Sequence, residues 1–460
     1  MTEKVNGVAR AAWSSKWAFI IAAAASAVGL GNMWRFPYLA AKYGGGTFLF
    51  TYLILVATVG ISLLLLENAI GRKTGKSAIS AFKKMCSKFK FVGYLTAAIP
   101  FLIVMYYCVI GGWVLKYLVS YITMDPTILA DDGAFFTGFI TGPTESYAFA
   151  AVFAALAFLG VATGLKGLEK INMFMMAGLI VLALGLAVYT AVQPGAIEGI
   201  AYYLTPDLSK FSVELLVAAM GQMFFSLSLA MAIMITYGSY YSKNEKLPSS
   251  AARVAGFDFG ISVIAGFMIV PASFVAMGSG EAVASAAGPS LMFITMPGVF
   301  AGMGGAVPVV GFVFFLLVAF AALTSAISLT EAFLSIVKDE TKWERNKCCI
   351  VIFIILFAGV MIVNAGYNVL SFVQPLGEGT SILDFLDFIS NTIMMPLAAL
   401  LTCIVVGWVV GPKYLIEEIE LTGPFKMKSA WSFIIKFVAP VVIVIVMIGY
   451  TLSTFGMFSM

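Results

Sequence analysis

The residues able to do chemistry in this chain are few, and they interrupt apolar runs. Ser26-Ala-Val-Gly-Leu-Gly-Asn32 sets two glycines, a serine and an asparagine inside a hydrophobic segment, and Phe225-Ser-Leu-Ser-Leu229 sets two serines inside another. Gly29 and Gly31 weaken a helix and leave backbone groups free to bind something else. Asp258, Thr324 with Ser325, Tyr107 and Arg35 are further polar residues within apolar stretches. Such groups suit binding of a small polar ligand or of a hard cation through oxygen. They do not suit acid-base catalysis. The chain has no histidine, so the commonest general base and metal ligand is missing, and no other nucleophile and base form a pair. An enzyme is therefore not expected, and a histidine proton relay is excluded.

The elements that must hold these residues follow from composition. Of 460 residues 61% are hydrophobic and 11% charged, far from the balance of a water-soluble domain. Apolar runs of about 20 residues, enough to cross a hydrocarbon core as a helix, recur throughout. The reading predicts eleven helices, at 17–41, 46–70, 91–122, 147–164, 171–192, 212–240, 251–278, 307–337, 346–364, 381–408 and 431–456. No cleavable signal peptide is expected, because Arg10, Trp13 and Lys16 lead into the first helix without a small-residue cleavage site.

Orientation follows from the 27 Lys and Arg, which gather in alternate loops. With the N-terminus in the cytoplasm, only Lys42, Lys116 and Lys210 fall outside, and Arg35 falls within the membrane. The C-terminus is then extracellular and the location the cell membrane. The net charge of +4 reflects this topology, so the lipid bilayer is a partner and nucleic acid is not. Cys86, Cys348 and Cys349 are cytoplasmic, Cys108 and Cys403 lie in helices, and no structural disulfide is expected.

The two main interruptions lie in the first and sixth helices, five apart. Two inverted five-helix repeats, 17–192 and 212–408, would give that spacing, with helix eleven at 431–456 and a single domain spanning 1–460. Small and hydroxyl residues also occur wherever helices simply pack closely. Arg35 argues against that reading, since an arginine in a span must face protein or water and find a partner. Asp387, near the outer end of helix ten, is its candidate counter-ion. Asp258, read as lying in the first turns of helix seven, is protonated, holds a metal ion, or merely caps its helix.

At these residues the chain resembles the neurotransmitter:sodium symporter family, particularly its bacterial amino acid members. The resemblance rests on Gly29-Leu-Gly-Asn-Met-Trp-Arg-Phe-Pro-Tyr38, Tyr43-Gly-Gly-Gly46, Gly221-Gln-Met-Phe-Phe-Ser-Leu-Ser-Leu229 and Ala322-Leu-Thr-Ser-Ala-Ile327, in order along essentially the whole chain. It implies an all-α polytopic membrane protein of LeuT-like fold, with helices 1 and 6 broken at mid-membrane. It also implies sodium-coupled symport of a small amino acid into the cell by alternating access.

The same resemblance assigns roles by residue. The first sodium ion would be held by the carbonyl of Ala27, by Asn32, Ser226 and Asp258, and by one oxygen of the substrate carboxylate. The second would lie among the carbonyls of Ala25, Val28 and Ala321 and the hydroxyls of Thr324 and Ser325. The substrate carboxylate would meet the amides of Gly29, Leu30 and Gly31 and the Tyr107 hydroxyl, and its ammonium carbonyls near Ser26, Ala27, Phe225, Ser226 and Ser228. Ser26, Ile103, Phe225, Ser228, Met231, Ser325 and Leu329 would line the side-chain pocket. With no fixed charge there, a hydrophobic or aromatic L-amino acid is the expected substrate. Arg35 and Asp387, with Gln222 near Arg35, resemble the family's outer gate, under which Phe225 and Tyr107 form a thinner lid. Arg10 and Trp13 resemble an N-terminal latch toward Asp339 and Tyr240, and Gly288 to Pro297 a loop capping the vestibule.

Two departures from the family matter. Asp258 supplies a fixed negative charge near the first sodium, which predicts chloride independence. Gly167 is followed nine residues on by Ala177 rather than proline, so unwinding of helix five to release the second ion is not implied. Two rival readings share the fold: a proton-coupled or sodium-independent carrier in which Asp258 cycles a proton, and a sensor that binds the amino acid without moving it.

Overall fold

An apolar helix in lipid stops only where something else satisfies its backbone, and the first helix of this chain stops at mid-membrane. The computed structural model describes residues 2–5, 8–286, 288–304 and 306–457, with side chains from residue 12 onward. Arg10 thus lies outside the described side chains. Thr2–Val5 and Val8–Ala11 pair as short antiparallel strands before the helices begin.

The first span is a helix over Lys16–Ala27 and a second over Gly31–Lys42, bent by 56° at the break. Val28 is extended, at φ −74 and ψ 102, which ends the first half. Glycine is needed beside the break for reasons of space. A Cβ on Gly29 would lie 2.7 Å from Ser325 Oγ and 3.0 Å from the Tyr107 hydroxyl oxygen, and one on Gly31 would lie 2.7 Å from the Phe225 ring.

Among the described residues nine unbroken helices are long and apolar enough to cross a membrane. They form the second to fifth spans (Gly46–Thr74, Ser87–Thr123, Glu145–Ala162, Gly164–Ala191) and the seventh to eleventh (Leu247–Met277, Val307–Thr341, Arg345–Ala365, Ile382–Val409, Lys428–Thr454). The sixth span is split into Val213–Ser226 and Ile233–Ser239. Eleven traverses result, as the apolar runs predict.

Several spans extend beyond the apolar run. The fifth begins at Gly164 rather than 171, and the seventh at Leu247 rather than 251. Lys166, Glu169 and Lys170 end the hydrophobic stretch without ending the helix, because helix propensity ignores where the bilayer stops. The second break also moves. Helix persists through Ser226, and the irregular stretch covers 227–232, with Ser228, Ala230 and Ala232 at φ 51, 61 and 61. Left-handed backbone without glycine is costly and is held by its surroundings.

Both broken spans sit at the centre. The N-terminal half of the first packs on the fifth, seventh and eighth spans, while the second half of the sixth packs on the second and eighth. The third and eighth spans cross in extended contact. Outward-facing side chains are apolar: Phe174 is 71% exposed and Ile354 62%, as suits a surface solvated by lipid.

Candidate functional site

The two breaks face each other across a small cavity, of about 370 Å³ including open solvent. Ser26, Ala27, Gly29, Leu30 and Gly31 line it from the first span, and Phe225, Ser226, Ser228 and Met231 from the sixth. Ile103 and Tyr107 of the third span and Ser325 and Leu329 of the eighth complete the wall, together with Asn32 and Ile233. Every residue named from sequence for substrate binding is on this one surface. No charged side chain is among them.

The polar end of the cavity is backbone and hydroxyl. Ser228 Oγ and Ser325 Oγ both donate to the Ser26 carbonyl, at 3.1 and 3.2 Å, and Ser26 Oγ is buried without a partner. The Gly29 amide donates to Asn32 Oδ1 at 2.8 Å and the Leu30 amide to the Tyr107 hydroxyl oxygen at 3.2 Å. These amides project from the start of the second half-helix, where an anion is favoured.

Asp258 lies beside this wall, fully buried and about three turns inside its helix. That position removes the capping alternative, because the seventh span starts earlier than its apolar run. Oδ1 accepts from Asn32 Nδ2 at 2.8 Å and from Ser226 Oγ at 2.7 Å. Oδ2 accepts from the Tyr52 hydroxyl at 3.2 Å, and Asn32 Nδ2 also donates to Ser262 Oγ at 2.7 Å. Asn32 and Ser226 therefore belong both to the cavity wall and to the carboxylate's partners. The donor set is oxygen-rich, and no group of three His, Cys, Asp or Glu occurs among the described residues. It fits an alkali cation rather than a transition metal. Tyr52 and Ser262 were not singled out from sequence.

The second oxygen cluster is looser. Because Gly29 N bonds to Asn32, the Ala25 carbonyl loses its helical partner. Ser325 Oγ donates to the Val28 carbonyl at 3.4 Å, and Thr324 Oγ1 to the Ala321 carbonyl at 3.1 Å. Ser325 thus joins the first break to the eighth span, with Ala321 and Thr324 in the turn before it.

The two ends of the site are closed unequally. Tyr107 and Phe225 line both the inner cavity and a larger one, of about 1350 Å³ including open solvent, on the face away from the N-terminus. A single layer of rings separates the two. Arg35 and Asp387 both line the larger cavity but differ from the expected ion pair. The guanidinium stands over the Phe225 ring at 5.7 Å and the Tyr450 ring at 4.9 Å. Asp387 Oδ1 instead accepts from Asn391 Nδ2 at 2.5 Å. Gln222 donates to the Gly31 carbonyl, one turn before Arg35, at 3.2 Å.

On the N-terminal face the closure is thick. Trp13 donates its backbone amide to the Tyr240 carbonyl at 3.1 Å and its indole Nε1 to the Tyr237 carbonyl at 3.0 Å. The Tyr237 hydroxyl donates to Ser328 at 2.9 Å, and that of Tyr240 to Glu331 at 3.1 Å. Asp339 accepts from the Ser77 amide and hydroxyl at 2.8 and 2.7 Å. A further residue missed from sequence is Glu67, which accepts the Ala230 amide at 2.6 Å and holds the sixth-span break. Its signal was legible, an acid at the end of a four-leucine run.

Comparison with known proteins agrees with this architecture. The model of the Sodium:neurotransmitter symporter family matches residues 10–128 and 143–457. The chain is 33% identical over 447 residues to the uncharacterized sodium-dependent transporter YhdH of Bacillus subtilis, covering 95% of this chain and 97% of that one. It is also 33% identical over 450 residues to the uncharacterized sodium-dependent transporter MJ1319 of Methanocaldococcus jannaschii, covering 94% and 89%. The crystal structure of MhsT in complex with L-phenylalanine superposes with a TM-score of 0.83 at 37% identity, covering 95% of this chain and 99% of MhsT. With matches along its whole length and breaks in its first and sixth spans, the chain belongs to the sodium:neurotransmitter symporter family, as a multi-pass, sodium-dependent membrane transporter and not an enzyme.

Proposed function

We propose that this transporter carries a hydrophobic or aromatic L-amino acid into the cell together with sodium and without chloride. The observation that carries the proposal is the sharing of Asn32 and Ser226 between the uncharged cavity and the Asp258 cluster. A cation among Ala27, Asn32, Ser226 and Asp258 would then touch the substrate carboxylate directly, so each favours the other's binding. A second ion would take Ala25, Val28, Ala321, Thr324 and Ser325. L-Phenylalanine, the ligand of MhsT, suits a wall of Ile103, Phe225, Met231 and Leu329.

Chloride independence rests on charge. Tyr52 and Ser226 donate to a carboxylate that is part of the chain, so the negative charge needed beside sodium does not have to be imported. Alternating access would use the thin lid of Tyr107 and Phe225 on one face and the thick closure at Trp13 on the other. The N-terminal face is the cytoplasmic one by its basic loops, in the plasma membrane, and the two five-helix repeats would move against each other.

Uptake into proteoliposomes tests this. Labelled L-phenylalanine, L-tryptophan and L-leucine should accumulate under an inward sodium gradient, with gluconate replacing chloride at no cost. Uptake indifferent to sodium, or driven by a proton gradient instead, would overturn the reading. Binding without counterflow would make the protein a sensor.

A further inference from the structure

The eleventh span faces lipid over most of its length, and near its end Val446, Tyr450 and Thr454 reach the outer cavity. It packs on the first half of the sixth span through Val446 against Val217 and Met220. Two glycines permit the approach. A Cβ on Gly449 would lie 2.7 Å from Val217 Cγ1, and one on Gly221 would lie within 2.2 Å of the Tyr450 ring. Tyr450 therefore occupies the space that a side chain at 221 would fill, and it lines the outer cavity.

There the Tyr450 ring meets Arg35, whose guanidinium is 4.9 Å from its centroid and 5.7 Å from that of Phe225. The arginine is held between two rings, and neither ring is its ion-pair partner. A cation over an aromatic face is attracted by the ring quadrupole, most strongly where water is thin. Phe225 in turn is part of the single layer over the inner cavity, resting on the backbone of Gly31. Pressure on Arg35 is thus pressure on the lid.

We propose that Tyr450 is a positioning residue of the outer gate, pinning Arg35 on Phe225 so that the eleventh span takes part in closing the substrate cavity. The inference deepens the proposed transport reading by adding a gate residue from a span outside both broken helices. Its ring, not its hydroxyl, is what acts. Asp387 is engaged by Asn391 instead.

The test uses Ile103→Cys, a cysteine in the wall beneath the lid, and a membrane-impermeant thiol reagent, with the parent protein as background for the native cysteines. No substrate is required, so failure of the amino acid assignment would show separately, as absent L-phenylalanine binding by the parent protein. Tyr450→Leu should speed labelling of position 103 roughly 2- to 30-fold, the Boltzmann factor of one cation–π contact. Tyr450→Phe keeps the ring and should label at the parental rate. Gly221→Ala, which drives the ring from its seat, should speed labelling as well and stands in if the leucine variant does not fold. Parental labelling rates in whichever of the leucine and alanine variants fold would overturn the proposal. So would a Tyr450→Phe variant as fast as Tyr450→Leu, since the hydroxyl would then be the acting group.

Discussion

Asn32 donates its side-chain amide to Asp258 Oδ1 over 2.8 Å, joining the break in the first span to the middle of the seventh. Replacing the carboxylate by an amide keeps its shape and removes its charge. Asp258→Asn should therefore raise the sodium concentration needed for half-maximal L-phenylalanine binding by about tenfold or more, about 1.4 kcal/mol. Substrate affinity at fixed sodium should fall with it, because the two ligands share Asn32 and Ser226. A sodium titration of labelled substrate binding reads both. An unchanged sodium midpoint would remove Asp258 from the ion's surroundings.

Met231 lies in the cavity wall and is almost wholly buried. Phenylalanine at this position adds a rigid ring where a flexible thioether now adapts. Overpacking of this kind costs about 1–3 kcal/mol, and a large substrate bears most of it. Met231→Phe should weaken tryptophan and phenylalanine binding by about tenfold or more while sparing alanine. Competition by a panel of amino acids gives the ranking, and an unaltered order would place the side-chain pocket elsewhere.

Much of this architecture is legible in the chain, and the exceptions have physical causes. Asp258 announces itself as a carboxylate within an apolar run, and Gly29 with Gly31 mark a helix that cannot continue unbroken. The break at 227–232 is harder to place. Ser228, Ala230 and Ala232 take left-handed backbone that only glycine would have advertised, and the support comes from Glu67, far away in sequence. Ser262 gives no local signal, since a serine in a span is usually satisfied by its own helix, and Tyr52 reads as one more aromatic ring in an apolar run. Tyr450, near the end of a lipid-facing helix, reads as an interfacial anchor until its contact with Arg35 is seen. Arg35 and Asp387 do face one cavity, but opposite charges at similar depth say nothing of which rings and amides take their direct contacts.

Glu67 accepts the Ala230 amide at 2.6 Å through Oε1, while its Oε2 is buried without a partner. One acceptor oxygen is thus all the contact requires. Glu67→Ala leaves a buried amide unsatisfied inside a left-handed stretch, at a cost of about 1–3 kcal/mol. It should lower the thermal midpoint for loss of substrate binding and weaken binding itself. Glu67→Gln retains the oxygen and should keep both near the parent. If Glu67→Gln is impaired as much as Glu67→Ala, the acidic proton or charge matters more than the hydrogen bond to Ala230, and if neither is impaired the bond does not hold the break.

Arg72 and Glu418 form a buried pair at 2.9 Å, their side chains 1% and 4% exposed. Arg72 also donates to the Glu245 carbonyl at 2.8 Å and to the Glu418 carbonyl at 2.5 Å. Three segments on the N-terminal face meet at this one guanidinium: the second span, the connection after the sixth, and the helix Lys413–Ile419. Deleting one member of such a pair strands a charge away from water and costs about 3–5 kcal/mol, whereas replacing both with apolar side chains costs far less. Arg72→Leu alone should sharply shorten the half-life of substrate binding on heating, and Glu418→Leu somewhat less, because the backbone carbonyls still receive the guanidinium. The double leucine variant should recover part of the loss. Heat-inactivation rates of the parent, the two single variants and the double variant complete the cycle. Strict additivity of the two losses would mean that the charges are solvated independently and that backbone contacts alone hold the three segments together.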